Sequence, residues 1–231
     1  MAPASDGTLY IANDGRIRHI GADNIIRTVM GNSGWKFLPP GVAAATGYLT
    51  SPRDVAVSPS GGLSITDAHL GGAAYAMTAA GGLNVIGGRL WGIPGSNVAL
   101  EAGLNNVQQV AHESNGSVLL SLPCNVVRIT AAGALEMVVG SGLCGFSGDG
   151  AGAVNAALSA GAGLAAANGE LFIADPINFR IRKVDRAGII STIAGTGVRG
   201  ASGDGGPARQ AQVGYVERLA VDTAGNLYFA D

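Results

Sequence analysis

Two aspartates in glycine-rich loops are the first residues of this sequence that could do chemistry, because a carboxylate in such a loop can bind calcium. Asp149 lies in the loop 145–150, which reads Gly-Phe-Ser-Gly-Asp-Gly, and Asp204 lies in the similar loop 202–206. A calcium loop supplies several oxygen ligands at alternating positions, whereas each of these loops contributes one carboxylate. We therefore predict no metal or other cofactor here, and we expect Asp149 and Asp204 to cap turns by accepting backbone N–H bonds.

The histidines are the residues best suited to bind a transition metal, and the chain has three: His19, His69 and His112. In the strand pattern described below they fall at three different positions of a repeat, and only His112 lies on a strand that would line a central channel. A zinc site needs three or four converging ligands, and no Ser/His/Asp or Cys/His arrangement for nucleophilic catalysis is evident. No catalytic residue is predicted. A lyase or hydrolase acting in a central channel is kept as an alternative.

Basic side chains in two clusters raise the question of RNA binding. They are Arg16, Arg18, Arg27, Arg180, Arg182, Lys183 and Arg186. The formal net charge of the chain is -2, which disfavours a broad basic face. Asp175 and Asp185 lie close enough along the chain to pair with the second cluster. We expect these charges to serve the structure and predict no nucleic-acid partner, with an RNA-binding protein as the second alternative.

The composition is that of a folded chain with many turns. Hydrophobic residues make up 47% of the 231 residues and charged residues 13%, which disfavours disorder, and the 38 glycines favour short elements over long helices. The longest charge-free stretches, 68–88 and 150–169, are too rich in alanine and glycine for a membrane span. Residues 1–7 lack the basic and apolar regions of a signal peptide. We predict no membrane span and expect any export signal to lie outside this sequence.

A recurring strand gives the organisation of the chain. Copies of the sequence Leu-Phe-Ile-Ala-Asp at 171–175 begin at Leu9, Leu63, Val118 and Leu227, about 55 residues apart. Each period holds four short apolar runs separated by glycine-containing turns, which suit hairpins because their residues tolerate positive φ. The predicted repeat units of the single domain 1–231 cover approximately 5–31, 53–88, 108–142, 163–197 and 218–231.

Four antiparallel strands per repeated unit predict an all-β fold, a β-propeller with four to five blades in this chain. The second strand of a unit, such as 171–174, is apolar on both faces, as expected for a blade packed between two neighbours. Four first strands and five second strands are counted, so the chain is predicted to begin on the second strand at Leu9 and end on the one at Leu227. Such a chain would form an incomplete ring or part of a larger propeller.

Long glycine-rich connectors join the units. They cover residues 31–49, 87–104, 142–158 and 197–213. A one-turn helix is predicted at the alanine-spaced end of each, and Pro207 suits the first turn of the last one. Trp35 and Trp91 lie in the first two connectors, where they either fill a gap against a blade or serve as partner contacts, since aromatic residues are enriched at binding hot spots.

Three stretches of the sequence resemble NHL repeats. They are Gly195-Thr196-Gly197, the connector 202–208, and Asn178-Phe179-Arg180-Ile181-Arg182-Lys183-Val184. The resemblance is to the variant with Gly-Phe-Ser-Gly-Asp-Gly connectors found in bacterial secreted proteins and in the teneurin propeller. It is strong over 140–231 and weak over 53–88, which lacks the arginine motif, and over 108–139, which keeps only the segment 125–129 of it. The resemblance implies a propeller and leaves the function open, because this fold hosts many activities.

The two cysteines, Cys124 and Cys144, are predicted to form a disulfide. Cys124 follows a second strand and Cys144 follows a fourth strand, and alternate turns of an up-and-down blade emerge on the same side. The glycine-rich segment 140–143 can fold back to bring the Cα atoms within about 7 Å of each other. The bond would place the protein in an oxidising compartment; two buried free thiols in a cytosolic protein are the alternative.

Taken together, these patterns favour a non-enzymatic extracellular module with an interaction or structural role. Its expected partners are other protein chains or missing segments of the same protein.

Overall fold

The protein is described by a computed structural model that covers residues 1–31, 42–44, 47, 49–68, 72–77, 81–88, 98–159, 161 and 163–231. Within these residues the regular structure is almost entirely antiparallel β-sheet, which confirms the predicted all-β propeller class. None of the helices in this part of the chain has the length and apolarity needed to cross a bilayer.

The first two sheets lie in the amino-terminal half of the chain. The first blade has the order β1 (Ala2–Pro3), β2 (Leu9–Asn13), β3 (Arg16–Ile20) and β4 (Ile26–Met30). The second blade contains β5 (Val42–Ala43), β6 (Pro52–Val57), β7 (Leu63–Asp67), β8 (Ala73–Met77) and β9 (Gly82–Gly87), in the order β5-β9-β8-β7-β6. The strand β5 lies within the connector 31–49 and was not predicted.

The next two blades follow the predicted order of four successive strands. The third blade contains β10 (Val110–His112), β11 (Val118–Leu122), β12 (Asn125–Ile129) and β13 (Leu135–Val139). The fourth blade contains β14 (Gly163–Ala167), β15 (Glu170–Asp175), β16 (Arg180–Val184) and β17 (Ile190–Ala194). The last sheet has two strands, β18 (Leu219–Val221) and β19 (Leu227–Phe229).

The prediction that the chain begins on a second strand is wrong. Ala2 pairs with Tyr10 and Pro3 with Leu9, so β1 is the first strand of the first blade. A two-residue strand that contains proline gives no apolar run in the sequence, and proline is tolerated there because β1 lies at a sheet edge. The count of one surplus second strand therefore does not hold.

The second strands β7 and β15 are buried on both faces, and in β7 one of these faces is polar, with Ser64 and Thr66. In β7 every residue from Leu63 to Asp67 is buried, and in β15 the five residues from Leu171 to Asp175 are buried. Core side chains such as Ile17, Ile65 and Leu83 pack around β7 in one cluster. The alternation of buried and exposed positions that a strand with one wet face would show is absent from both strands, and burial of both faces was predicted from the sequence.

Two of the four predicted connector helices are present as single 3-10 turns, at Ala153–Asn155 and Ala208–Gln210. The connector end at 99–104 instead forms a hydrogen-bonded turn, in which the N–H groups of Glu101 and Ala102 donate to the carbonyl of Val98 at 3.0 and 3.1 Å. The connector end at 45–49 lies largely outside the described residues. A further 3-10 helix, Pro176–Asn178, joins β15 to β16 and was not predicted.

The chain divides into two compact units. The first comprises residues 1–112, 116–120 and 129–135, and the second comprises residues 113–115, 121–128 and 136–231. The assignment of the whole chain to one domain stays a prediction.

Candidate functional site

An arginine of the fourth blade is buried against two carboxylates, and we call Arg182, Asp149 and Asp175 the arginine clamp. Arg182 on β16 is fully buried, and its Nε and Nη2 donate to Asp149 Oδ1 at 3.1 and 2.8 Å. Its Nη1 lies 3.5 Å from Asp175 Oδ2, an ion-pair contact without hydrogen-bond alignment. Nη2 also donates to the carbonyl of Ser147 at 3.0 Å. The clamp ties the connector 142–158 to the blade that follows it.

The ring of Phe146 completes this attachment of the connector. The guanidinium carbons of Arg180 and Arg182 lie 3.9 and 4.7 Å from the centroid of that ring, in cation–π contact. Arg180 also donates to the carbonyls of Asn178 and Thr196, each at 2.9 Å. The Phe-Ser-Gly-Asp sequence of the loop thus supplies an aromatic face, a carbonyl and a carboxylate to the two arginines.

The clamp corrects the predicted role of Asp149. The residue at the amino end of the 3-10 helix Ala153–Asn155 is Gly152, no side-chain hydrogen bond caps that helix, and the Asp149 carboxylate pairs with Arg182 instead. Sequence spacing alone hid this contact because the two residues are 33 positions apart. Asp204 does not cap its helix either, since the described hydrogen bonds show no side-chain cap at Ala208–Gln210, and it is exposed.

An aspartate closes the end of the second strand in three of the sheets. Asp67 accepts hydrogen bonds from the N–H groups of Thr50 and Ser51 at 2.7 and 3.0 Å. Asp175 accepts one from the N–H of Ser159 at 2.8 Å, and Asp231 accepts one from the N–H of Gly214. These carboxylates hold the chain as it enters a blade. The repeated Asp at the end of the Leu-x-x-x-Asp strand was the available signal.

The first unit carries a tyrosine where the clamp has its arginine. Tyr75 lies opposite Ile65, the register that Arg182 has opposite Ile173. Burial of the phenol raises the pKa of Tyr75 to about 12, and the negative charge of Asp67 adds to the increase. This tyrosine is therefore a neutral hydroxyl over the whole physiological range.

The histidines do not form a metal centre in the described part of the chain. Both ring nitrogens of His112 are buried without a hydrogen-bond partner. Burial of the ring lowers the pKa of His112, and a weaker interaction with the Ala56 backbone opposes that shift. His19 stacks on Tyr10 with ring centroids 4.5 Å apart. His69 lies outside the described residues. No group of three potential metal-binding side chains comes together among the residues that were described.

The predicted disulfide between Cys124 and Cys144 is present, with the Cα atoms 5.0 Å apart. Cys124 has a left-handed backbone with φ 64° in the turn between β11 and β12. Next to Cys144, the N–H of Gly145 donates to the carbonyl of Leu158 at 3.0 Å, which holds the two ends of the connector together. The bond and the arginine clamp therefore fix the same connector at two points in the second unit.

Exposed aromatic side chains are concentrated near the last sheet. Tyr215, Tyr228 and Phe229 are 52%, 57% and 38% exposed. Arg199 lies over the ring of Tyr215 at 4.9 Å, and Tyr228 donates a hydrogen bond to Asp222 at 3.1 Å. Trp35 and Trp91, the candidate partner contacts predicted from the sequence, both lie outside the described residues.

No family model and no curated protein matches this sequence. Solved structures do match in fold. The chain is similar to an auxiliary nutrient binding protein from Bacteroides thetaiotaomicron, with a TM-score of 0.64 and 12% identity over 95% of this chain and 51% of the other. It is similar to a catalytically inactive virginiamycin B lyase from Staphylococcus aureus with quinupristin, with a TM-score of 0.55 and 16% identity over 98% and 60%.

A third similar structure is that of a nidogen/laminin complex, with a TM-score of 0.65 and 13% identity over 100% of this chain and 70% of the other. The TM-scores indicate a shared propeller fold, and identities this low carry no assignment of activity. The chain spans 51%, 60% and 70% of the lengths of these three structures.

Proposed function

We propose that this chain is an NHL-type propeller module that binds other proteins outside the cytoplasm and has no catalytic activity of its own. The observation that carries the proposal is a group of three exposed aromatic side chains at the carboxyl-terminal end of the second unit, Tyr215, Tyr228 and Phe229. Large aromatic side chains supply much of the binding energy at protein interfaces, and burying them in a partner would remove apolar surface from water. One of the similar folds, the nidogen/laminin complex, was solved with a protein partner.

The disulfide supports the extracellular part of the proposal. Bonds of this kind persist in oxidising compartments and are rare in the cytosol. Alkylation and mass spectrometry of the native protein without reduction test it: a blocked Cys124 and Cys144 is expected. Two alkylatable thiols would contradict the assignment.

The contacts of the basic residues support a protein partner over RNA. Lys183 pairs with Glu170 at 2.9 Å, and Arg27 pairs with Asp23 at 2.6 Å. Arg128 reaches both Glu113 and Glu136, at 2.6 and 3.3 Å. Arginines engaged in this way offer less charge for the phosphate contacts on which RNA binding depends.

Cross-linking tests the proposed interface. The purified chain is added to the extracellular proteins of its source, cross-linked, and analysed by mass spectrometry, together with the double variant Tyr215→Ser, Tyr228→Ser. Met137→Ser is the matched control, because Met137 is a 46% exposed apolar side chain of the same unit that lies on β13. We expect one cross-linked protein to disappear with the double variant and remain with the control. An identical set of cross-links in all three samples would contradict the proposal.

A further inference from the structure

Three aliphatic side chains are exposed at one end of the fourth blade. Leu143, Ile177 and Val198 are 70%, 57% and 58% exposed. Ile177 lies in the 3-10 helix that leads into β16. Val198 follows β17, whose last residue, Ala194, pairs with Ile181 near the start of β16. The 3-10 helix and the start of the following connector therefore lie at the same end of the sheet.

Hydrogen bonds join the segments that carry these side chains. Asn178 Nδ2 donates to the carbonyl of Gly145 at 2.7 Å, which holds the 3-10 helix against the connector that precedes the blade. Arg180 donates to the carbonyls of Asn178 and Thr196, each at 2.9 Å, and so links the helix to the connector that follows the blade. The N–H of Val198 donates to Thr196 Oγ1 at 3.4 Å. The three segments form one continuous part of the surface.

Two arginines add positive charge to this part of the surface. The guanidinium carbon of Arg180 lies 3.9 Å from the centroid of the Phe146 ring, and that of Arg199 lies 4.9 Å from the centroid of the Tyr215 ring. Within the described residues neither arginine forms an ion pair, whereas the neighbouring Arg182 lies against two carboxylates. A ring orients a guanidinium and leaves its charge in place. The arginine–aliphatic surface, as we call it, consists of Leu143, Ile177, Val198, Arg180 and Arg199.

The connector that carries Leu143 shows that this surface stays exposed beside a complete blade. Leu143 and Cys144 are both exposed although their connector is followed by the four strands of the fourth blade. Val198 and Arg199 have the same two positions in the next connector and are exposed as well. The correspondence follows from the backbone bonds at the start of the two connectors, each 3.0 Å long, from Gly140 N–H to Ala153 O and from Gly195 N–H to Ala208 O.

We propose that the arginine–aliphatic surface binds an apolar segment of another protein that carries aspartate or glutamate side chains. Aliphatic or aromatic side chains of that segment pack on Leu143, Ile177 and Val198, which removes apolar area from water. Its carboxylates accept charge-assisted hydrogen bonds from Arg180 and Arg199. Arginine is enriched at protein interfaces for this reason. The inference rests on the proposed function, since it names the chemistry of the protein partner.

The charge of the surface favours this occupant over two others. A second copy of the chain in a symmetric pair would bring the surface against itself, so that Arg180 and Arg199 would face like charges. An anionic bilayer attracts clusters of basic residues, whereas this chain has a formal net charge of -2 and two arginines on this surface. A partner segment that combines carboxylates with apolar side chains complements both parts of the surface.

A phage-displayed library of random short peptides, selected against the full chain, is the probe. We expect the selected sequences to be enriched in aspartate and glutamate together with leucine, isoleucine or phenylalanine, relative to the starting library. The most frequent sequence is then synthesised, and its affinity for the chain is measured by fluorescence anisotropy. Hydrogen exchange with this peptide bound should slow down at residues 142–146, 176–180 and 196–200.

Variants of the chain test the two components of the surface. Arg199→Gln should weaken binding of the selected peptide about tenfold, which corresponds to ~1.4 kcal/mol. The double variant Leu143→Ser, Ile177→Ser should weaken it tenfold or more, and both of these side chains are exposed, so the fold is expected to be retained. Arg186→Gln is the matched control for charge, because Arg186 is exposed in the turn between β16 and β17, at the other end of the blade. Met137→Ser is the matched control for apolar area.

The contrary outcomes are distinguishable. Selected peptides without enrichment in carboxylates, or binding that is insensitive to Arg199→Gln, overturn the acidic partner, and slower exchange confined to a different segment overturns the surface. Binding of the chain to phosphatidylglycerol vesicles that is lost with Arg199→Gln, while no peptide is selected, assigns the surface to a membrane and overturns the inference. If the protein cross-linked through Tyr215 and Tyr228 persists while no peptide binds, the inference falls and the proposed function stands. Absence of both overturns the proposed function.

Discussion

The second and fourth blades share an aspartate at the end of the second strand but carry different side chains on the third strand beside it. In both, an aspartate at the end of the second strand bonds the backbone that enters the blade: Asp67 bonds Thr50 and Ser51, and Asp175 bonds Ser159. At the adjacent position of the third strand one blade has Tyr75 and the other has Arg182. The aspartate therefore binds backbone N–H groups in both blades, whereas the arginine is found in the fourth blade and has a different role.

That role is attachment of the connector. Arg182 reaches the carboxylate of Asp149 and the carbonyl of Ser147 in the preceding connector. A buried ion pair is weak evidence of net stability, because desolvation of the charges offsets their attraction. Its role here is to hold the loop 145–150 against the fourth blade, through the hydrogen bonds from Arg182 to Asp149 Oδ1 and to the Ser147 carbonyl.

The largest expected difference between the two blades follows from removing these side chains. Arg182→Ala leaves Asp175 buried without its counter-charge and should lower the free energy of unfolding by about 3–5 kcal/mol. Tyr75→Phe, its counterpart in the second blade, removes a neutral hydroxyl and should cost about 1 kcal/mol or less. Urea titration measures both. Equal losses would show that the clamp is no more than a packing contact.

The disulfide should give the next largest effect, again confined to the second unit. Replacing Cys124 and Cys144 together by serine removes a cross-link over 20 residues, which the chain-entropy relation values at about 3 kcal/mol. Hydrogen exchange should speed up in the connector 142–158 and stay unchanged in β7. The same exchange pattern in the oxidised and serine forms would show that the clamp alone holds this connector.

Alkaline pH should lower the stability of the protein through Tyr75 in the second blade. The folded-state pKa of Tyr75 is raised to about 12, from an unfolded value of 10.0, because burial and Asp67 disfavour the phenolate. Above pH 10 the unfolded state loses the proton first, so stability is complete below pH 10 and declines as the pH rises toward 12. The expected loss over that interval is about 2–3 kcal/mol. Tyr75→Phe should abolish this part of the pH dependence, and a persistent decline in the variant would assign it elsewhere.

The sequence predicted the strands of the repeat and the disulfide because both depend on local patterns. Alternation, turn residues and a period of about 55 residues are visible along the chain, and Cys124 and Cys144 lie within one repeat. The pairing of Asp175 with Arg182 was expected from their closeness along the chain, whereas the pairing with Asp149 was not predictable in the same way. The contact between Asp149 and Arg182 joins residues 33 positions apart, in a connector and the blade after it, so only the folded backbone brings them together.

The turn-capping role predicted for Asp149 and Asp204 is also absent for a physical reason. Asp149 and Asp204 were expected to cap turns since aspartate in a glycine loop commonly does so. In both loops, however, backbone carbonyls already accept the turn N–H groups: Ala151 N–H donates to Gly148 O and Gly206 N–H to Gly203 O, each at 3.0 Å. The two side chains are therefore available for contacts beyond the turn. Asp149 pairs with Arg182, and Asp204 is exposed to solvent.

The smallest expected effect on stability is that of substituting Asp204, which can be compared with the same substitution of Asp149 in the equivalent loop. Asp204→Ala should change the free energy of unfolding by no more than about 0.5 kcal/mol, because an exposed side chain without a structural contact contributes little. Asp149→Ala, the same substitution in the equivalent loop, removes two hydrogen bonds from a buried guanidinium and should cost about 1.5–3 kcal/mol. Urea titration of the two variants side by side measures the difference. A loss of 1 kcal/mol or more for Asp204→Ala would mean that the Asp204 side chain stabilises its own loop.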